Sequence, residues 1–436
     1  MKNKLVSNAL WIIVCKVVQS LLGLVVSVLS ARYLGPSNYG LISYAASVVA
    51  FVVPIMQLGL RSTLVQECIE RPEETGKTIG TALCMNLVSA IVCMVGAVSF
   101  VSIANAGELV TRIVCVLYSL LLIFQALEMV QYWFQAKLLS KYPSIVSLVA
   151  YFVVSAYKIF LLITQKSIYW FAVSQAIDSM LISIALLILY RRLSGQRLSF
   201  SLARAKQMFR RSRPYILAGL MVTIFQQTDR LMLKNMVGDA ATGYYSVAVA
   251  CAGMTSFVFA AIIDSVRPVV LEAKKQDTAV YERRVTGLFS IIFYLSLLQC
   301  VGMTLLAEPI IYILYGDAYA GAVNALRIVV WYETYSYFGS ARNIWILAEE
   351  KQSYLWIINL CGAGLNVLLN FLLIPYFGVI GAAFASFCTQ FFTNFILGFI
   401  IKPIRPCNRL MLRGMDPRCF IGMVKQIVQA RRHRAP

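Results

Sequence analysis

Apolar residues run in long stretches, and polar residues are confined to short intervals between them. A helix needs roughly 20 apolar residues to cross a bilayer. Twelve stretches meet that length, at 8–30, 41–60, 79–103, 113–135, 144–165, 168–190, 214–235, 243–266, 285–306, 322–347, 353–374 and 379–401. The first is too long for a cleavable signal peptide and flows into the second, so none is expected. The pattern predicts an all-α integral membrane protein with twelve transmembrane helices in two six-helix lobes. Residues 1–190 form the N-terminal lobe (spans 1–6), 191–213 a basic linker, 214–401 the C-terminal lobe (spans 7–12) and 402–436 a basic tail. No interval is long enough for a folded extramembrane domain.

Composition agrees. The 436 residues are 60% hydrophobic and 13% charged, with mean hydropathy +0.75. Soluble domains carry about 25% charged residues, so a soluble class is excluded. The net charge of +20 raises the question of nucleic acid. Its distribution answers otherwise, because no basic patch is interleaved with stacking aromatics. The cations sit in short intervals between spans, the positive-inside arrangement, with some attraction to anionic lipid headgroups. With the N-terminus inside, inside segments hold 30 of the 39 Lys and Arg, outside loops hold 3 (Arg32, Arg112, Lys166), and six lie within or at the ends of spans. Both termini are therefore expected in the cytoplasm. The linker alone carries eight cations and no acid.

The halves repeat. Leu34-Gly35 is followed by Gly40, Ser43 and Ala45; Val237-Gly238 is followed by Gly243, Ser246 and Ala248, at identical offsets. Both fall in the turn between the first two spans of their lobe, where glycine supports a tight turn. Six spans per half is an even number, so the lobes share one orientation, related by a pseudo-twofold along the membrane normal.

Eight of the eleven cysteines lie inside apolar runs, with no CxxC pair, and read as small apolar fillers. The only histidine is His433 in the tail. A metal site, a His-based catalytic dyad and a cofactor are not expected, and the chain does not read as an enzyme.

Charges inside spans are expensive and usually face a cavity or a partner. Lys16, Gln19, Ser20, Gly23, Ser27 and Ser30 share one face of the first span; Thr223, Gln226, Gln227, Arg230 and Lys234 make a comparable face on the seventh. Lys158 lies on the fifth span and Arg327 opens the tenth. Lys16, Lys158, Arg230, Lys234 and Arg327 are the candidates to line a central, positively charged cavity between the lobes. Such a cavity suits an anion such as pyrophosphate; the alternative is that each cation pairs internally or snorkels to an interface, as Lys234 is placed to do. Glu128, Asp178 and Glu333 are the acids inside spans. They serve either as structural partners of Lys158 or Arg327, or as groups that couple transport to a proton or sodium gradient. Asn359, Asn366 and Asn370 stripe the eleventh span, a spacing suited to hydrogen bonds between helices.

Ala31-Arg32-Tyr33-Leu34-Gly35-Pro36 with Tyr39-Gly40 resembles the turn after the first span of bacterial polysaccharide flippases. These form the O-antigen or Wzx-type branch of the multidrug/oligosaccharidyl-lipid/polysaccharide exporter superfamily. Asp229-Arg230 with Gly238 and Gly243-Tyr244-Tyr245-Ser246, the stretch Ile310 to Tyr319, and Asn366, Asn370, Ile374-Pro375, Gly378 and Gly381-Ala382-Ala383 extend the likeness from about residue 5 to 400. The resemblance implies twelve helices around a central cavity. It implies a substrate, an oligosaccharide on undecaprenyl pyrophosphate, moved from the cytoplasmic to the outer leaflet of the inner membrane by alternating access. The implied partners are that lipid-linked sugar, the bilayer, the polysaccharide polymerase machinery and a coupling ion, with no nucleic acid. A drug or cation exporter of the same superfamily is the first alternative, sustained by Asp178 and Glu128 but opposed by Lys16. A membrane polymerase or ligase is the second; the long outer loop it needs is missing.

Overall fold

The computed structural model describes residues 2–194 and 196–422, with side chains from residue 15 onward except at residue 62. His433 and the end of the tail lie outside the described residues. Every regular element among those described is helical. Eight segments are long and apolar enough to cross a membrane. Two of them, Cys15–Met56 and Gln352–Ile400, each hold two antiparallel helices.

Gly35 breaks the first with φ 70°. Ser27 Oγ then lies 3.1 Å from the Tyr39 hydroxyl, twelve residues on; an unbroken helix would separate them by about 18 Å. Gly378, at φ 53°, breaks the second, and a Cβ on Gly381 would stand 2.5 Å from the carbonyl oxygen of Leu373. These hairpins raise eight to ten. Helices Leu202–Met236 and Val323–Ala348, too polar to pass on hydropathy, complete the twelve predicted spans.

The linker is not a tether. Residues 202–213 belong to the same helix as the seventh span, about 52 Å long at 1.5 Å per residue. Ser201 caps it, its hydroxyl accepting the Arg204 N–H. The helix of the eighth span likewise runs on to Gln276.

The chain divides into two compact units, Met1–Gly243 and Tyr244–Pro436. In the first, one core gathers Tyr44, Val48, Ala97, Val114 and Phe171. A second, at the end bearing residues 58–79, gathers Leu64, Ile79, Trp133, Phe134, Tyr190 and Met208. The seventh span packs on the first hairpin inside this unit. In the second unit Phe259 stacks on Tyr337 with ring centroids 3.9 Å apart, in a core shared with Phe289, Phe338, Trp345 and Met411. The tail contributes to that core. Helix Arg405–Met415 buries Cys407, Leu410 and Met411 and turns Arg405, Arg409 and Arg413 outward. The Tyr294 hydroxyl donates to the Met415 carbonyl at 2.9 Å.

Candidate transport sites

The fourth, fifth and sixth spans bring three of the candidates together. Lys158 and Asp178 attract one another across the fifth and sixth spans. Glu128 faces Asp178 and takes a hydrogen bond from Ser179. Tyr151 stands beside Asp178, and its hydroxyl fills the space over Gly23, where a Cβ would come within 2.5 Å. The polar face of the first span is thereby tied to the cluster. Gln125 Oε1, Glu128 Oε1 and Asp178 Oδ1 are buried with no hydrogen-bond partner. Unpartnered buried oxygens are costly.

The other candidates lie apart from it. Lys16 is exposed and forms no ion pair among the described residues. Arg230 donates to Gln227 Oε1 at 3.2 Å, an oxygen that also accepts from Ser47 Oγ at 3.0 Å. Lys234 is 6% exposed and sits 2.6 Å from Glu108 Oε2 and 2.5 Å from Asp239 Oδ1. It does not snorkel; two carboxylates balance its charge. The hydrogen bond from Lys234 holds Glu108, on the loop before the fourth span, below its usual carboxylate range. Arg327 is half-buried, 3.1 Å from Asn324 Oδ1 and 3.8 Å from Glu308.

In the second unit Glu333 is half-buried and faces a cavity of about 460 Å³ between the eighth- and tenth-span helices. Arg342 is buried and reaches the twelfth span, donating to the Thr393 carbonyl at 2.8 Å and Asn394 Oδ1 at 3.0 Å. A π-helical turn over Phe392–Ile396 explains the first bond, since such a turn releases carbonyls from the helical ladder. Asn408 on the tail helix takes a second, Phe395 O, at 2.5 Å. Asn366 and Asn370 are buried and bond to each other at 3.1 Å.

The linker cations find acids that the sequence reading passed over. Arg204, 4% exposed, pairs with Glu67 at 3.9 Å and with Glu74. Arg211 pairs with Glu67 at 2.8 Å and Glu70 at 3.3 Å. Hydrogen bonds from Gln66 and Arg211 hold the Glu70 carboxyl below its ordinary range. Gln196 Oε1 accepts from Thr75 Oγ1 and the Gly76 amide, both at 2.7 Å. The interval 61–78 had been read only for its cations; its acids form a clasp around the linker.

Residues 5–274 match the model of the family described as "Polysaccharide biosynthesis protein". The chain belongs to that family. It is 21% identical over 394 residues to the capsular polysaccharide biosynthesis protein CapF of Staphylococcus aureus, covering 89% of this chain and 96% of CapF. Its fold is similar to that of the lipid II flippase MurJ in an inward closed conformation (TM-score 0.73, 16% identity, 94% of this chain and 92% of MurJ). It is also similar to an inward-facing multidrug resistance MATE family transporter of the MOP superfamily (TM-score 0.67, 14% identity, 90% of this chain and 95% of that one). These likenesses fix the fold as the twelve-helix, two-lobe transporter fold. The chain is a multi-pass membrane protein of a polysaccharide biosynthesis family, and the solved structures whose fold it shares are a flippase and a transporter.

Proposed function

We propose that the protein moves a sugar repeat unit carried on undecaprenyl pyrophosphate from the cytoplasmic to the outer leaflet of the bacterial cytoplasmic membrane. The observation that carries this reading is the family match over residues 5–274, joined to charged groups held at membrane depth in the matched part. A hydrated, anionic headgroup cannot cross hydrocarbon unaided. Lys16, Lys158 and Arg230 supply cations on the first, fifth and seventh spans. In this reading Lys234 and Arg327, both ion-paired, hold the structure rather than the cargo. Both termini lie in the cytoplasm, on the 30-to-3 asymmetry of the loops. Lobes 1–190 and 214–401 alternate access, with 191–213 as the linker.

Glu128 and Asp178 couple that motion to a proton or a sodium ion. Binding at their unpartnered oxygens competes with Lys158, so the lysine is freed for the pyrophosphate as the acids are neutralised. The same carboxylates favour a second reading, export of a cationic drug, which predicts efflux that depends on Asp178 and is indifferent to Lys16.

The test is complementation in a strain lacking its own oligosaccharide flippase, scored by surface polysaccharide and by accumulated lipid-linked intermediate. Restoration by the wild type, with at least tenfold loss in Lys16→Ala and Lys158→Ala at equal membrane levels, is expected. Restoration with fully active lysine variants would move the binding site elsewhere. Failure to restore, together with drug efflux abolished by Asp178→Asn, would establish the second reading.

A further inference from the structure

The cavity of the second unit is not explained by cation-assisted pyrophosphate binding. The eighth-span helix Ser256–Gln276 and the tenth-span helix Val323–Ala348 line it and leave it open on the remaining side. Asp264 and Arg267 come from the first; Glu333, Ser336, Ser340 and Asn343 come from the second. On each helix these positions recur every three or four residues, so each presents a polar edge to the same space.

The charges decide what the space accepts. Arg267 lies 3.2 Å from Asp264, which leaves Glu333 as the uncompensated charge. No ion pair or hydrogen bond of Glu333 occurs among the described residues, and it stands in a wall of neutral hydroxyls and an amide. A phosphate or other anion meets two carboxylates, Asp264 and Glu333, against the single guanidinium of Arg267. A bare metal ion is poorly served too, since no group of three or more metal-ligating side chains exists among the described residues. The volume, about 460 Å³, belongs to the range of small organic ligands, roughly 300–1,000 Å³.

What remains is a neutral molecule rich in hydroxyl donors. Carboxylates accept only, serine hydroxyls donate and accept, and an amide offers both on one planar group. Together they match the alternating donors and acceptors of a sugar ring. Phe257, 40% exposed on the same wall, offers an apolar face to the ring's C–H groups. We infer that this cavity is a sugar subsite of the C-terminal lobe, binding a monosaccharide of the repeat unit through Asp264, Glu333, Ser340 and Asn343. The inference rests on the proposed flippase function and adds to it a division of labour. Cations elsewhere hold the pyrophosphate, and this cavity reads the glycan.

Photo-crosslinking in the native host separates the two claims. Ser340 is replaced by p-benzoylphenylalanine, with Ser336 as a second position in case the first impairs folding, and Ser20, one turn from Lys16 on the same face and exposed, is replaced likewise in a parallel strain. Adducts on the purified protein are identified by mass. A sugar-bearing lipid on residue 340 or 336, reduced about tenfold by Glu333→Gln or Asn343→Ala while capture at residue 20 is unchanged, is the expected result. Tenfold corresponds to about 1.4 kcal/mol, the size of one or two net hydrogen bonds. Capture at residue 20 with none at 340 or 336 would overturn the sugar subsite and leave the flippase standing. Phospholipid alone at 340 and 336 would overturn it as well. No sugar-bearing adduct at any of the three positions would overturn both.

Discussion

Gly243 lies so close to Pro36 that a Cβ on the glycine would stand 2.1 Å from the proline's carbonyl oxygen. The converse pair is equally tight: a Cβ on Gly40 would stand 1.9 Å from the carbonyl oxygen of Asp239. Gly40 and Gly243 each lie five residues after the turn glycine, Gly35 or Gly238. Pro36 and Asp239 each lie one residue after it. Position i of one repeat touches position j of the other, and j touches i. That reciprocity is the mark of a local twofold.

Gly40→Val and Gly243→Val should each destabilise the protein by about 1–3 kcal/mol or more, because backbone cannot yield to the added atoms as a side chain can. Gly35→Ala meets no atom within 4 Å but must hold φ 70°, ψ 170°, a conformation essentially confined to glycine, and should lose roughly 1–3 kcal/mol from that backbone strain alone. Melting temperatures of the detergent-solubilised protein rank the three. Unchanged melting in both valine variants would show that the turns are not in contact.

Lys234→Met should cost about 1–3 kcal/mol, the loss of charge-assisted hydrogen bonds to Glu108 and Asp239, both of which keep access to solvent. Combining it with Glu108→Gln and Asp239→Asn should recover most of that loss. A triple variant no more stable than the single one would show that the lysine matters for reasons other than the pairing.

The linker clasp should respond to acid. Glu70 titrates below the ordinary carboxylate range because it is bonded to Gln66 and Arg211. Its contribution is complete above the unfolded value, about pH 4.3, and disappears as pH falls through the lower folded value. Glu108, held down by Lys234, behaves in the same sense. Hydrogen exchange over residues 196–213, corrected for intrinsic rates, should therefore be flat from pH 7 to about 5 and rise below about 4. A rise already complete at pH 6 would assign the clasp to some other group.

Arg342→Lys should fail to replace the arginine. One ammonium cannot reach both the Thr393 carbonyl and Asn394 Oδ1 with the fixed fork of a guanidinium. A loss of about 2–4 kcal/mol is expected for both Arg342→Lys and Arg342→Ala, read from melting temperature; full stability in the lysine variant would reduce the role of the π-helical turn to packing.

Much of this was legible in the chain. The twelve spans follow from apolar run length, and the repeat turns at Gly35 and Gly238 were found by spacing alone. Lys158 and Asp178 were found by the cost of burying charge, and their proximity was among the readings considered. Lys234 was harder. Its partners lie 126 residues back and five ahead, and nothing local announces that a loop acid such as Glu108 will fold over it. The clasp was missed for a similar reason, because the cations of 191–213 dominated the count and hid the acids at 67, 70 and 74. The sugar-subsite cavity had a signal that went unread. Glu333, Ser336, Ser340 and Asn343 recur at helical spacing on one span, as do Asp264 and Arg267 on another, but only packing shows that the two edges face each other.

The continuous helix from Leu202 to Met236 behaves as a beam gripped near one end. Arg204 and Arg211 fix it to the acids of 61–78, and Pro214 removes one backbone hydrogen bond just beyond the grip. From that bearing to Met236 is about 33 Å, so a tilt of only about 5° swings the far tip by roughly 3 Å. That displacement is as long as a hydrogen bond, enough to break the bond from Ser47 on the first hairpin to Gln227 or the pairing of Lys234 with Glu108. Small rotations at one face of the membrane are thereby geared into the making and breaking of contacts near the other.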